Sequence, residues 1–386
     1  ILFALRPGKS SGFGSVRKIP TLGIRSAFVG EFQVKDQEVR ESDWIGEGRT
    51  AWDAVIGTVT LGKFFLGFGS VGICERAMEE ALAHLTRRVL YGKPVIDMPH
   101  IGAAVSHAYA RLTGMKCFAY RAVDYVQSAS AEDRRYLLFC AVQKARVSTE
   151  GVKVISLLSE CIGARGFESE TYVEMALRDV QLIPSLEGSI HINLAATAEF
   201  IPRYFDDPDE NLGIPESSAA RDSTGENRYL MEARSGRINA VGFRRFLEAY
   251  EPLKAVANVR IFCRQAGAFG RFARTCLKRT SDADSHVLLQ LGQCMAAIAY
   301  GQLVAETASR IEMPRGMISA IFHLLVGDLS NLAIALASSP RVGKIERVLI
   351  RRMIAVPRTS DAEWDFVLQK ARLLGQEARA VAGPMS

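Results

Sequence analysis

The sequence predicts a mainly α fold: the end of a β domain, then a helical bundle, then a second helical bundle. Three observations carry that expectation. Residues 1–43 place alternating and aromatic positions among the turn formers Gly12, Gly14, Pro20 and Gly23. From Glu47 onward, apolar side chains recur at helical spacing through most of the chain. Residues 202–227, rich in Pro, Gly, Ser and acidic side chains, split that helical pattern in two. The expected division is 1–43 (β), 44–204 (bundle), 205–227 (linker) and 228–386 (helical extension).

The elements follow in order. Residues 26–34, SAFVGEFQV, give the clearest strand. A long helix is predicted over 47–90, with Val59, Leu61, Phe65, Phe68, Val71, Ile73, Ala77, Ala81 and Leu85 in register. Gly62, Gly67, Gly69 and Gly72 cost that helix about 1 kcal/mol each relative to Ala. They imply either close approach of a backbone or cofactor, or tight helix packing. Helices are expected near 97–127 and 131–162, around a polar turn at 128–133, and again over 190–204. The second half adds 228–278, broken near Gly236 and at 267–270, then 285–312, 316–337, 342–355 and 361–380. Arg341, Lys344, Arg347 and Arg351 share one helical face. That face suits either anionic lipid or plain solvation on a bundle surface.

Composition excludes several classes. The 386 residues are 48% apolar, enough for two or three cores, with no uninterrupted apolar run long enough to span a bilayer and no secretory signal. The chain begins ILFAL without an initiator Met, and residues are expected upstream of it. Seven widely spaced cysteines without a Cys-x-x-Cys pair read as reduced core thiols, and six scattered histidines show no zinc-ligand spacing. The net charge of +6 suits an anionic ligand without requiring one. Basic residues are not interleaved with aromatics as nucleic-acid binding would need.

The chemistry concentrates between Ser159 and Asn193. Glu187 precedes Gly188 and Ser189 in a short loop, where the glycine permits unusual backbone angles and close ligand approach. A glutamate in a dry loop serves as a general base; the same residue taken alone is a solvent-facing loop glutamate. Upstream stand ECIGARGF, from Glu160 to Phe167, and the pair Arg178-Asp179. Further upstream, Arg88-Val89-Leu90-Tyr91-Gly92-Lys93-Pro94 ends the first long helix; alone, Arg88 is a solvated helix end.

Taken together these segments resemble the acyl-CoA dehydrogenase family. Its pattern is Gln-x-x-Gly-Gly-x-Gly-Phe, then Arg-Asp, then Glu-Gly-Thr, with an Arg-x-x-Phe-Gly-Lys-Pro turn before them. The spacing from Phe167 through Arg178-Asp179 to Glu187 needs no gap. The resemblance implies FAD-dependent α,β-dehydrogenation of an acyl-CoA thioester, as in fatty-acid β-oxidation, with Glu187 as the α-proton base and N5 of the flavin taking the hydride. It implies that Arg88 reaches the FAD pyrophosphate of a neighbouring subunit. Tyr91, Glu160, Gly163, Ala164, Ser189 and His191 are carried over as cofactor-binding positions, and Lys63 and Gly188 as substrate-binding ones. Some members place the base on the first long helix; the matching position here is Gly62, which leaves Glu187 without a rival. Departures are Glu160 for Gln, Ala164 for Gly, Tyr91 for Phe, Ser189 for Thr, Leu186 for an aromatic, and Pro99 where many members use Gln toward the adenine.

The C-terminal helices resemble the long- and very-long-chain members. Expected partners are an acyl-CoA, an electron-transfer flavoprotein and further copies of the chain in a homodimer or tetramer, with peripheral membrane contact; the expected compartment is the cytoplasm or mitochondrial matrix. A non-catalytic subunit of the same fold, acting in assembly, is the alternative, and an oxidase or monooxygenase of that fold a third.

Overall fold

A computed structural model describes residues 1–5, 12–216, 227–232, 241–277 and 285–382. The expected break near Gly236 and residues 217–226 of the expected linker lie outside the described residues.

The N-terminal segment is β structure. Strands β1 (Leu2–Phe3) and β4 (Trp44–Gly46) pair antiparallel, as do β2 (Phe13–Lys18) and β3 (Gly30–Val34). Most of their side chains are exposed, Phe32 among them. Helix α1 (Gly48–Arg87) follows, then a two-residue hairpin between β5 (Val89–Leu90) and β6 (Lys93–Pro94). Tyr91 and Gly92 form its loop, both with positive φ (53° and 77°), as the tightest hairpins require. Pro99 opens α2 (Pro99–Gln127), where its missing N–H costs nothing.

The helix expected over 131–162 is three pieces. Helix α3 (Tyr136–Val142) runs into a π-helical turn, Gln143–Val147, and then α4 (Ser148–Ile162). Gly163, with φ 68°, ends α4, and a 3-10 turn, Gly163–Phe167, leads to α5 (Tyr172–Leu182), capped by Thr171. A second 3-10 turn, Ile183–Ser185, delivers the Glu187 loop. The expected 190–204 helix divides into α6 (Ile190–Ala198) and α7 (Ile201–Asp206), with Pro202 in the first turn of α7.

Beyond come α8 (Arg228–Glu232), a 3-10 segment (Phe246–Leu253), α9 (Ala257–Leu277), α10 (Ser285–Arg310), α11 (Arg315–Ala337), α12 (Lys344–Arg351) and α13 (Asp361–Ala382). The break expected at 267–270 does not occur, and α9 is continuous there. A Cβ on Gly270 would meet the Phe205 ring at 2.6 Å, so this glycine makes room for an aromatic instead of ending a helix.

One hydrophobic core joins both groups of helices, drawing buried residues from α1, α2, α4, α10, α11 and α13. Helix α2 packs against α1, α4, α10, α11 and α13. Buried ion pairs cross the same seam. Arg121 of α2 donates to Glu306 of α10 at 2.6 Å and to Asp124 at 2.6 Å. Arg111 of α2 pairs with Glu150 of α4 at 2.5 Å and with Asp328 of α11. The described part of the 205–227 stretch is tied down as well: Pro208 bridges to Phe243, and the Pro215 carbonyl accepts from Arg121 and Arg310.

The six described cysteine side chains are free thiols, five of them buried, as expected. The absence of an unbroken apolar run does not extend to whole helices. Ala51–Arg87, His286–Arg310 and Arg315–Ala337 are long and apolar enough to cross a membrane by length and composition. In the second and third of these the apolar window is 78% and 56% buried inside the protein, against 22% in the first.

Candidate active site

Glu187 sits between the Ile183–Ser185 turn and α6, with φ 51°. That is a left-handed conformation which a non-glycine residue adopts only when its surroundings hold it. Gly188 follows at φ 87°. The Glu187 carboxylate lies over Gly62 of α1: a Cβ built on Gly62 would be 3.1 Å from Cδ and 3.3 and 3.4 Å from the two oxygens. Gly62 is thus part of the carboxylate's seat. The loop is held from behind by Asn193, whose Nδ2 donates to the Ser189 carbonyl at 2.9 Å. The Ser189 hydroxyl is the N-cap of α6, accepting from Ile192 N at 3.5 Å.

Two lysines flank the carboxylate. Lys63 is half-buried; burial lowers its ammonium below the ordinary range, while the charge of Glu187 opposes that shift. Lys144 is wholly buried, and its Nζ donates to the Ile183 carbonyl at 2.5 Å. Burial, then Lys63, lowers it to about 8 against the opposing pull of Glu187. Beside it, Gln143 donates to the Phe64 carbonyl at 3.2 Å and fills the space left by Gly67.

A second site opens where α1 ends. A cavity of about 690 Å³ is lined by Glu80, His84, Arg87, Arg88, Ile162, Arg165, Glu170, Thr171, Tyr172 and Val173. Three guanidinium groups therefore face one cavity beside the Gly163 turn. His84 registers their field: burial, then Arg165, Arg88 and Arg87, lower its pKa, and Glu168 opposes them. Its Nε2 is buried and makes no hydrogen bond among the described residues. Arginines grouped with an unpaired imidazole nitrogen match the oxygens of a phosphate or pyrophosphate.

The expected site residues thus fall into groups. Glu187, Gly188 and Lys63 meet at the carboxylate's seat. Arg88 lines the cationic cavity, and Gly163 and Ala164 belong to the adjoining turn, where a Cβ on Gly163 would meet nothing within 4 Å. Glu160 is exposed at the end of α4, Tyr91 is 94% exposed at the hairpin tip, and His191 is exposed in the first turn of α6. The Arg178-Asp179 pair docks the N-terminal segment: Asp179 Oδ1 accepts from Ile24 N at 2.6 Å, and Gly23 packs against the Arg178 carbonyl. Lys144, His84 and Arg165 were not read from the sequence. No signal in the sequence marks Lys144, which stands between Gln143 and Arg146 in a mixed polar and apolar stretch.

Residues 51–201 match the family model for the acyl-CoA dehydrogenase C-terminal domain. Cyclohex-1-ene-1-carbonyl-CoA dehydrogenase of Geobacter metallireducens is 22% identical over 176 residues, 46% of each chain. The short-chain specific acyl-CoA dehydrogenase of Megasphaera elsdenii is 23% identical over 195 residues, half of each chain. The chain spans about half the length of these curated relatives. Among solved structures, an acyl-CoA dehydrogenase from Bacillus anthracis complexed with FAD shares the fold with a TM-score of 0.70, covering 96% of this chain and 64% of its own, at 14% identity. Residues 51–201 are thus similar to the C-terminal domain of the acyl-CoA dehydrogenase family.

Proposed function

We propose that this chain provides the catalytic base and part of the cofactor site of an FAD-dependent acyl-CoA dehydrogenase. Glu187 removes the α-proton of an acyl-CoA thioester. The observation that carries this reading is the contact between Glu187 and Gly62. Family members place the base at one or the other of these positions, and here the carboxylate from the first lies on the bare backbone of the second. Either placement sends a carboxylate to the same point in space.

The residues present fit FAD. The cavity of Arg87, Arg88, Arg165 and His84 offers donors and positive charge to its pyrophosphate, and the open turn at Gly163 lets backbone approach. When bound, FAD supplies the acceptor for the β-hydride. The protein's own contribution is to aim the carboxylate at the α-carbon, with Lys63 and Lys144 flanking it. The amide N–H of Glu187 is a donor for the thioester oxygen as charge develops there.

The finer proposals rest on the resemblance. They are a long- or very-long-chain fatty-acyl substrate, an electron-transfer flavoprotein as acceptor and assembly as a homodimer or tetramer, in the cytoplasm or mitochondrial matrix. Peripheral membrane contact draws on α12, where exposed Ile345 and Val348 stand beside exposed Lys344 and Arg351. The alternative, a non-catalytic subunit acting in assembly, draws on Glu160, a carboxylate beside the turn that would meet the pyrophosphate. The two separate in one experiment: the intact protein is loaded with FAD and mixed anaerobically with an acyl-CoA. Bleaching of the flavin absorbance supports the dehydrogenase. FAD binding without bleaching across short-, medium- and long-chain acyl-CoAs supports the subunit.

A further inference from the structure

Lys144 is an expensive residue to place where it lies. Its side chain is wholly buried, and the second ammonium of Lys63 acts against its charge. A methionine would fill the same space without the cost of burying a charge. Its position in the chain is equally unusual. It belongs to the π-helical turn Gln143–Val147, and such turns shift the side chains around them out of ordinary helical register. The effect here is to aim two neighbours at two different elements. Gln143 reaches the Phe64 carbonyl of α1, next to Lys63 and Gly62, while Lys144 reaches the Ile183 carbonyl.

Ile183 begins the short turn that ends two residues before Glu187. Its carbonyl already accepts from Leu186 N at 3.3 Å, and Lys144 adds a charge-assisted bond to the same oxygen. The turn Lys144 holds leads directly into the backbone of Glu187 at φ 51°, a conformation that relaxes unless neighbours over-determine it. We infer that Lys144 is a positioning residue for Glu187, pinning the loop from the π-helical turn and holding the carboxylate toward Gly62 by its charge. This rests on the reading of Glu187 as the base. The titratable groups facing Lys144 are Lys63 from α1 and Glu187 from the loop. Burial pushes the Cys140 thiol near Lys63 up to about 12, so it stays neutral at working pH.

The test compares the intact protein with K144M and K144R by hydrogen exchange, corrected for intrinsic rates, and by pH-dependent steady-state kinetics. In K144M the amides of residues 186–190 are expected to exchange about tenfold faster, the factor for losing one charge-assisted hydrogen bond, with α2 and α10 unchanged. K144R, which keeps a fixed charge and a donor, restores part of the protection. In the wild type the loop's protection falls as pH rises through about 8, and in K144M it is flat. Turnover in K144M is expected to drop about 10²-fold in kcat with KM little changed, the signature of a misplaced base. Unchanged exchange at 186–190 in K144M overturns the proposal, whatever the turnover. Faster exchange in a protein whose wild type does not turn over sustains the anchoring and counts against the dehydrogenase reading alone.

Discussion

At the scale of single residues, the seat of the Glu187 carboxylate is an absence of side chain. Gly62 lies within α1, where alanine would be favoured by about 1 kcal/mol. A Cβ there, however, would come within 3.1–3.4 Å of all three carboxylate atoms. G62A is therefore expected to raise the melting temperature slightly and to lower kcat, because the helix gains while the Glu187 carboxylate is pushed aside. Thermal unfolding and turnover measured together check this; a loss of stability with full activity would contradict it. Glu187 and Gly62 were legible because a loop Glu-Gly pair and a costly helix glycine both stand out in a sequence. Lys144 was not, since nothing local announces a π-helical turn and a lysine in a helical pattern is ordinarily assigned to solvent. Asp179 was legible as part of a motif, but its bond to Ile24 N bridges 155 positions of chain and could not be read from either end.

At the scale of elements, periodicity located the helices and left their interruptions unseen. The long spans of α1, α2, α10, α11 and α13 follow from apolar spacing alone. Glycine was the ambiguous signal. Gly270 was read as a break and serves packing, and Gly292 does the same more severely. A Cβ on Gly292 of α10 would lie 2.7 Å from the Leu194 carbonyl carbon and 3.1 Å from its Cα. The obstacle is α6 backbone, which cannot rotate away as a side chain can. G292A is expected to destabilise the protein by about 1–3 kcal/mol despite alanine's better helix propensity, as measured by denaturant unfolding. Since α6 begins directly after the Glu187 loop, the same substitution is expected to lower activity.

At the scale of the whole molecule, the two groups of helices share one core and buried ion pairs. Arg121 is 2% exposed and pairs with Glu306 across α2 and α10, where Tyr125 also donates to Glu306. Removing one partner leaves the other charge buried and uncompensated. R121M is expected to cost about 3–5 kcal/mol, with both groups of helices losing structure in one transition. Separate transitions in the wild type would contradict the shared core. Sequence reading separated the helices at a polar stretch and had no means of seeing this seam, because the pairing partners stand 185 residues apart.

Proton linkage supplies a further test at this scale. Lys144 is lowered from 10.5 to about 8 in the folded protein. Between those values the unfolded chain binds a proton that the native state does not, so this group makes stability rise with pH across that window. Below about 8 both states are charged and the native state bears the full cost. That cost is on the order of 3 kcal/mol, and it is recovered by about pH 10.5. The difference between the wild-type and K144M stability curves is expected to narrow over that range. A constant difference would mean that the ammonium is not buried.

The most direct measurement concerns the carboxylate itself. Wild type and E187Q, each loaded with FAD, are mixed anaerobically with an acyl-CoA that the wild type oxidises, and the flavin absorbance is followed in a single turnover. The amide keeps the shape of the site and removes the proposed base. E187Q is expected to bind cofactor and substrate as the wild type does and to bleach about 10²–10⁴ times more slowly. Bleaching at the wild-type rate would show that the proton leaves by another route.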